Sequence, residues 1–271
     1  MRPFFENNVL QQQPFKPMII VVDTTKAGSA SNTFVLPIVK AASETVKIYW
    51  GDGTNSTGVN GNNTHVYAAS GVYTVKIESK IFGGLYFNNG GDKAKITKIA
   101  NYGQGVSRLN IGSFYGCSSL LSIDIGNIVS NGVSASNQYR DCTALTTVPL
   151  LNLSSVTNAF AMFAYCAALT TVPLLNLSNC TSTRSMFFDC TSLTTIPLLD
   201  LSSVTDATNM FTGVTLTTQS YSDFLINLAT LPLQSGVSFH GGNSKYNPTA
   251  AIARAYLISN FGWTITDGGA A

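Results

Sequence analysis

Residues 142–213 hold three copies of one sentence: CTALTTVPLLNLSSVTNAFAMFAY from Cys142, CAALTTVPLLNLSNCTSTRSMFFD from Cys166, and CTSLTTIPLLDLSSVTDATNMFTG from Cys190. Cys117 precedes them at nearly the same interval. A fixed period of this length marks a solenoid, in which each repeat buries its apolar face only against its neighbours. Apolar columns extend the pattern: Ile96/Ile99, Leu120/Ile123, Leu145/Val148, Leu169/Val172 and Leu193/Ile196. A ring column runs Phe114, Tyr139, Phe163, Phe187, Phe211. The array therefore has about five turns, the first two degenerate. In each repeat, L-x-x-V-P-L-L-x-L reads as an extended strand with inward Leu and Val. The Ser/Thr-led remainder reads as a short capped helix with inward Met and Phe.

Four of the five cysteines, Cys117, Cys142, Cys166 and Cys190, share one repeat position. Side chains in one column point the same way, which suits a buried ladder of thiols; a disulfide needs facing vectors. Cys180 takes the place of Val156 and Val204 and reads as a small buried residue. With no CxxC and no Cys–His cluster, the expectation is no metal, no cofactor and no disulfide among the four.

Outside the array the chain divides further. Residues 1–17 form an expected extended arm, with Phe4, Phe5 and Phe15 as apolar anchors among Pro3, Pro14 and Pro17; it packs either on its own domain or on another molecule. Residues 18–88 alternate as half-buried strands separated by turn clusters, the pattern of an antiparallel sandwich. Residues 89–215 hold the solenoid. In residues 216–271 the period breaks into helix, strand, helix and strand, a β/α cap for the last apolar face.

Only 10% of residues are charged and the net charge is +2. Cys142 to Thr183 carries no charge at all. With no basic stripe, nucleic acid is set aside as a partner. Apolar runs are too short to cross a bilayer, so no membrane insertion is expected. The amino terminus lacks the apolar core of a secretory signal. Two routes to an outside location remain: a signal already removed, or assembly into a particle.

Tyr49-Trp50-Gly51-Asp52-Gly53-Thr54, with His65-Val66-Tyr67 and Gly71-Val72-Tyr73-Thr74-Val75, resembles the PKD-type immunoglobulin-like domain. That resemblance implies that Trp50 is core and Asp52 a turn former; calcium or acid chemistry at Asp52 is the alternative. The repeats resemble the leucine-rich repeats of BspA-like surface proteins, which commonly follow such a WGDG domain. Ala159 stands where that family often places a methionine. The segment from Gly242 resembles a terminal module of such proteins in phage genomes. Together these imply a mainly β fold with short helices: an Ig-like sandwich, a leucine-rich-repeat solenoid and a β/α cap.

No nucleophile elbow, zinc-protease helix or phosphate loop is present, so no enzyme is expected; His240 reads as a loop residue. The remaining candidate surface is an uncharged ladder, Thr146/Thr170/Thr194 and Thr147/Thr171/Thr195. Singly, each threonine is explained by its preference for extended structure. The expectation is a virion decoration protein, on capsid or tail, contacting other virion proteins and host glycans or envelope proteins; a homo-oligomer is compatible with it. A bacterial adhesin is the alternative, and a secreted carbohydrate-active enzyme the third.

Overall fold

The structure is a computed structural model and describes residues 16–79, 83–102, 113–124, 134–151 and 153–271. Phe4, Phe5 and Phe15 lie outside the described residues. The fold is mainly β, with eleven strands in three sheets and two α-helices among the described residues.

Six strands lie before residue 80: β1 (Met18–Asp23), β2 (Thr33–Val39), β3 (Val46–Tyr49), β4 (Asn55–Gly58), β5 (Gly61–Val66) and β6 (Val72–Glu78). β7 (Gly84–Leu85), β8 (Ile96–Tyr102) and β9 (Ser122–Ile123) follow. One sheet has the order β4-β3-β6-β1-β8-β9 and another β5-β2-β7. Alternation places Met18, Ile20 and Val22 of β1, and Phe34, Leu36 and Ile38 of β2, in one buried core with Val75 and Ile77. Asn55–Gly58 falls within an expected turn cluster yet forms a strand, because Gly51 and Gly53, both at φ +90°, turn the chain back onto β3.

β8 belongs to both halves. It pairs antiparallel with β1 and parallel with β9, so the amino-terminal sheet runs without a break into the repeats. The stack of repeats also starts earlier than the sequence indicates. Phe87 donates its N–H to Ser113 O, and its ring lies 6.2 Å from Phe114. The rings of Phe114, Tyr139, Phe163, Phe187 and Phe211 then follow at 5.5–6.1 Å, within 10° of parallel. Phe87 thus extends the ring column one step before Phe114, where the sequence reading begins it.

The expected short helices are absent from the described repeats, and the reason lies in the backbone amides. Ala159, Ala161, Phe163 and Tyr165 donate to Ser182, Arg184, Met186 and Phe188 of the next coil. Between them, Met162, Ala164 and Cys166 donate back within their own coil, to Ala159, Ala161 and Phe163. A helix would direct every N–H along its own axis and leave nothing for the neighbouring coil. Alternation requires left-handed residues, which recur in two columns. One is Asn137, Ala161, Ser185 and Asn209 at φ 50–58°; the other is Asp141, Tyr165, Asp189 and Gly213 at φ 53–80°. Asn, Asp and Gly tolerate that region best. Met162/Phe163, Met186/Phe187 and Met210/Phe211 are fully buried.

The carboxy-terminal part consists of α1 (Thr218–Leu228), β10 (Ser238–His240), α2 (Pro248–Phe261) and β11 (Thr264–Thr266). Thr217 and Asn247 cap the two helices through their side-chain oxygens, and Gly262 ends α2 at φ 65°. Phe211 N donates to His240 O, which places β10 where a further coil would lie. Phe224 and Phe239 meet the last ring of the stack edge-on, at 6.0 and 6.1 Å. The change from parallel to perpendicular rings ends the column. Asp267 Oδ2 accepts from Tyr221 Oη at 2.9 Å and Arg254 Nε at 2.8 Å, locking both helices to the final turn.

Candidate ligand-facing surface

Thr146, Thr147, Thr170, Thr171, Thr194 and Thr195 are all exposed, on one side of three successive coils. Thr170 donates both its N–H and its hydroxyl to Thr146 O, at 3.0 and 3.2 Å. Thr147 and Thr171 form a parallel bridge, and Thr217 N donates to Thr194 O. The backbone thus holds Thr146 with Thr170 and Thr147 with Thr171 in register, and ties Thr194 to the start of the carboxy-terminal part. This bridge, with no longer strand, is the regular pairing among the described L-x-x-V-P-L-L halves: Pro149, Pro173 and Pro197 each remove a donor from the ladder.

The surface carries leucines that the sequence reading placed inside. Leu150, Leu174 and Leu198 are 64%, 58% and 51% exposed, while Leu151, Leu175 and Leu199 beside them are buried. Two adjacent residues of an extended chain point to opposite sides, so only one of each pair reaches the core. The doubled leucine was the signal. The face is therefore mixed, hydroxyl rows alongside an apolar column, and it bears no charged side chain at these positions.

At its carboxy-terminal end the face runs into an open groove of about 660 Å³. Thr195, Pro197 and Leu198 form one wall, and Gln219, Asp223 and Asn227 of α1 the other. Ser220 Oγ, which accepts from Ile196 N at 3.0 Å, joins the walls at the base. Asp223 alone among the lining residues is charged, and Gln219 Nε2 donates to it at 2.8 Å. A concave, partly apolar site with a few polar groups suits a neutral, hydroxylated ligand.

The other residues singled out by sequence have structural surroundings. Trp50 is 2% exposed and stacks on His65 at 4.7 Å. Asp52 accepts from Thr54 N and Thr54 Oγ1 and pairs with His65 Nε2 at 2.7 Å. Burial raises the Asp52 pKa, but the hydrogen bonds from Thr54 and His65 outweigh it and hold the carboxyl at about 2. Cys117, Cys142, Cys166 and Cys190 are buried free thiols, as is Cys180. Burial pushes Cys190 up to about 12, and the other columnar thiols rise for the same reason. Arg184 is half exposed and lies 4.0 Å from Asp206. Among the described residues, no cluster of three His, Cys, Asp or Glu could hold a metal ion, and no helix is long and apolar enough to cross a membrane.

The family described as DUF285, Mycoplasma protein of unknown function, matches residues 113–225. The matched stretch covers the ring stack from Phe114 and the groove wall of α1 as far as Leu225. No curated protein and no solved structure matches the chain.

Proposed function

We propose that this chain is a non-enzymatic display protein. In this reading a PKD-type Ig-like sandwich carries a BspA-like leucine-rich-repeat solenoid, and the threonine and leucine face with its groove is the binding surface. The observation that carries it is that face: six exposed threonines and three exposed leucines recurring at the repeat period, opening into a groove. Contiguous exposed apolar groups framed by polar ones mark contact surfaces. The solenoid is supported by coil-to-coil hydrogen bonds and the stacked ring column. The sandwich is supported by two sheets sharing one core and by buried Trp50.

Its place is the surface of a virion, as a capsid or tail decoration protein. Residues 1–17 and the sandwich dock on other virion proteins, and the solenoid meets host glycans or envelope proteins. Resemblance of the carboxy-terminal segment to a module of phage-encoded repeat proteins supports this placement. The bacterial description of the matching family favours a second reading, a cell-surface adhesin.

The test is binding of the labelled chain to an array of host envelope glycans and to intact host cells. Wild type should bind, and the double variant Leu174→Asp/Thr195→Arg should lose binding while keeping its fold. Equal binding by the variant removes this face as the contact surface. Mass spectrometry of purified particles separates the two placements, since the adhesin would be found only on cells.

A further inference from the structure

The open groove beside α1 has a chemistry that the threonine rows leading into it do not share. Between Arg184 and Lys245 the chain carries Asp189, Asp200, Asp206 and Asp223 and neither lysine nor arginine, against a net charge of +2 for the whole. Arg184 itself lies 4.0 Å from Asp206. This end of the array is therefore acidic, and Asp223 brings that charge into the groove wall as an exposed side chain. Gln219, Asp223 and Asn227 stand four residues apart on α1, so they form one row with about 6 Å between neighbours. Alternate residues of an extended chain are about 6.7 Å apart, close to the same interval. Opposite the row, Pro197 and half-exposed Leu198 give an apolar wall. None of the residues lining the groove is aromatic, so a sugar ring finds no flat apolar partner there. A neutral ligand also leaves the charge of Asp223 uncompensated.

We propose that the groove receives an extended segment of a partner protein that carries a lysine or arginine. The amides of Gln219 and Asn227 each offer donors and an acceptor, and pair with backbone groups of that segment at alternate residues. Asp223 pairs with the basic side chain in a charge-assisted hydrogen bond. Gln219 Nε2 already donates to Asp223 at 2.8 Å, so one positive charge completes the site. Apolar side chains of the segment pack on Pro197 and Leu198, as alternate side chains do when an extended peptide is bound. An acidic segment meets repulsion from Asp223 and from the aspartates of the neighbouring coils. The assignment rests on the display reading of this face and narrows its partner at the groove to protein, with the threonine rows left to glycans.

The experiment presents the labelled full chain to an array of short peptides built from threonine, valine and leucine. Their central residue is lysine, arginine, glutamine or glutamate, and chitotriose serves as the glycan competitor. Lysine and arginine peptides should bind about tenfold more tightly than their glutamate counterparts, and added salt should narrow the difference. Asp223→Lys should reverse that order, which a loss of fold cannot do. Asn227→Ala should weaken the basic peptides by about threefold, and thermal melts verify that both variants are folded. The idea fails if wild type shows no preference for a basic centre, or if Asp223→Lys keeps the wild-type order. It fails equally if chitotriose displaces the peptides, which makes the groove a glycan site. Host-cell binding that survives Asp223→Lys but not Leu174→Asp/Thr195→Arg removes the groove peptide while leaving the display face standing.

Discussion

Cys166 Sγ donates to the backbone carbonyl of Tyr139, 3.1 Å away in the preceding coil. The relationship repeats, from Cys142 to Phe114 O at 3.3 Å and from Cys190 to Phe163 O at 3.1 Å. The thiol column thus ties coil to coil where the backbone has no amide to spare. It explains why a small weak donor recurs where a larger apolar residue would only fill space.

These thiols should be inert in the folded chain. Burial holds them far toward the protonated form, and only the thiolate reacts. Iodoacetamide at neutral pH should label none of the four in native protein and all of them in denaturant. Rapid native labelling, or a bridge among them in a mass spectrum, contradicts the column. Cys166→Ala should cost about 1–2 kcal/mol in urea unfolding, from the lost contact and the small void.

The paired leucines permit an internal comparison. Leu175→Ala removes a buried side chain and should destabilise by about 2–5 kcal/mol. Leu174→Ala, one residue away and exposed, should shift stability by no more than about 0.5 kcal/mol. Similar losses for the two would mean that the assigned facing is wrong.

Gln138 stands in the column of Met162, Met186 and Met210 and is fully buried, with neither amide atom partnered. Gln138→Met restores the repeat with similar volume and removes that desolvation penalty. Stability should rise by about 1–3 kcal/mol. Thr183, whose buried hydroxyl also has no partner, occupies the column of Ala159 and Ala207, and Thr183→Ala should act in the same direction. A drop in melting temperature for both variants would argue that these groups bind something in the core.

Asp52 should make the amino-terminal sheets sensitive to acid. Its folded pKa of about 2 lies below the ordinary carboxylate value, so its contribution is present above about pH 4. It disappears as pH falls through that value toward 2, where the folded state also gains the proton. Thermal melts of wild type and Asp52→Asn between pH 6 and pH 2 should differ most at the upper end and converge at the lower. A constant difference across that range would remove the Thr54 and His65 bonds as the cause.

The sequence by itself determined the period, and with it which residues form the buried columns. Phe163, Leu169, Val172 and Cys166 could be placed inside because a 24-residue repeat leaves no other solution for apolar groups recurring at fixed positions. The two carboxy-terminal helices were legible from their local pattern, with Pro248 in the first turn of the second; Thr217, Asn247 and Gly262 cap them in the structure. Only the tertiary structure decided the rest. Whether Ala161 lies in a helix or at positive φ depends on Arg184 O in the next coil, a partner that no local preference contains. Leu174 faces solvent because Leu175 and Leu177 already fill the interior. Arg140 meets Tyr115 and Tyr165 only because neighbouring coils bring distant residues to one edge. Periodicity specifies what must be buried; which groups are left exposed together is set by how coil packs on coil.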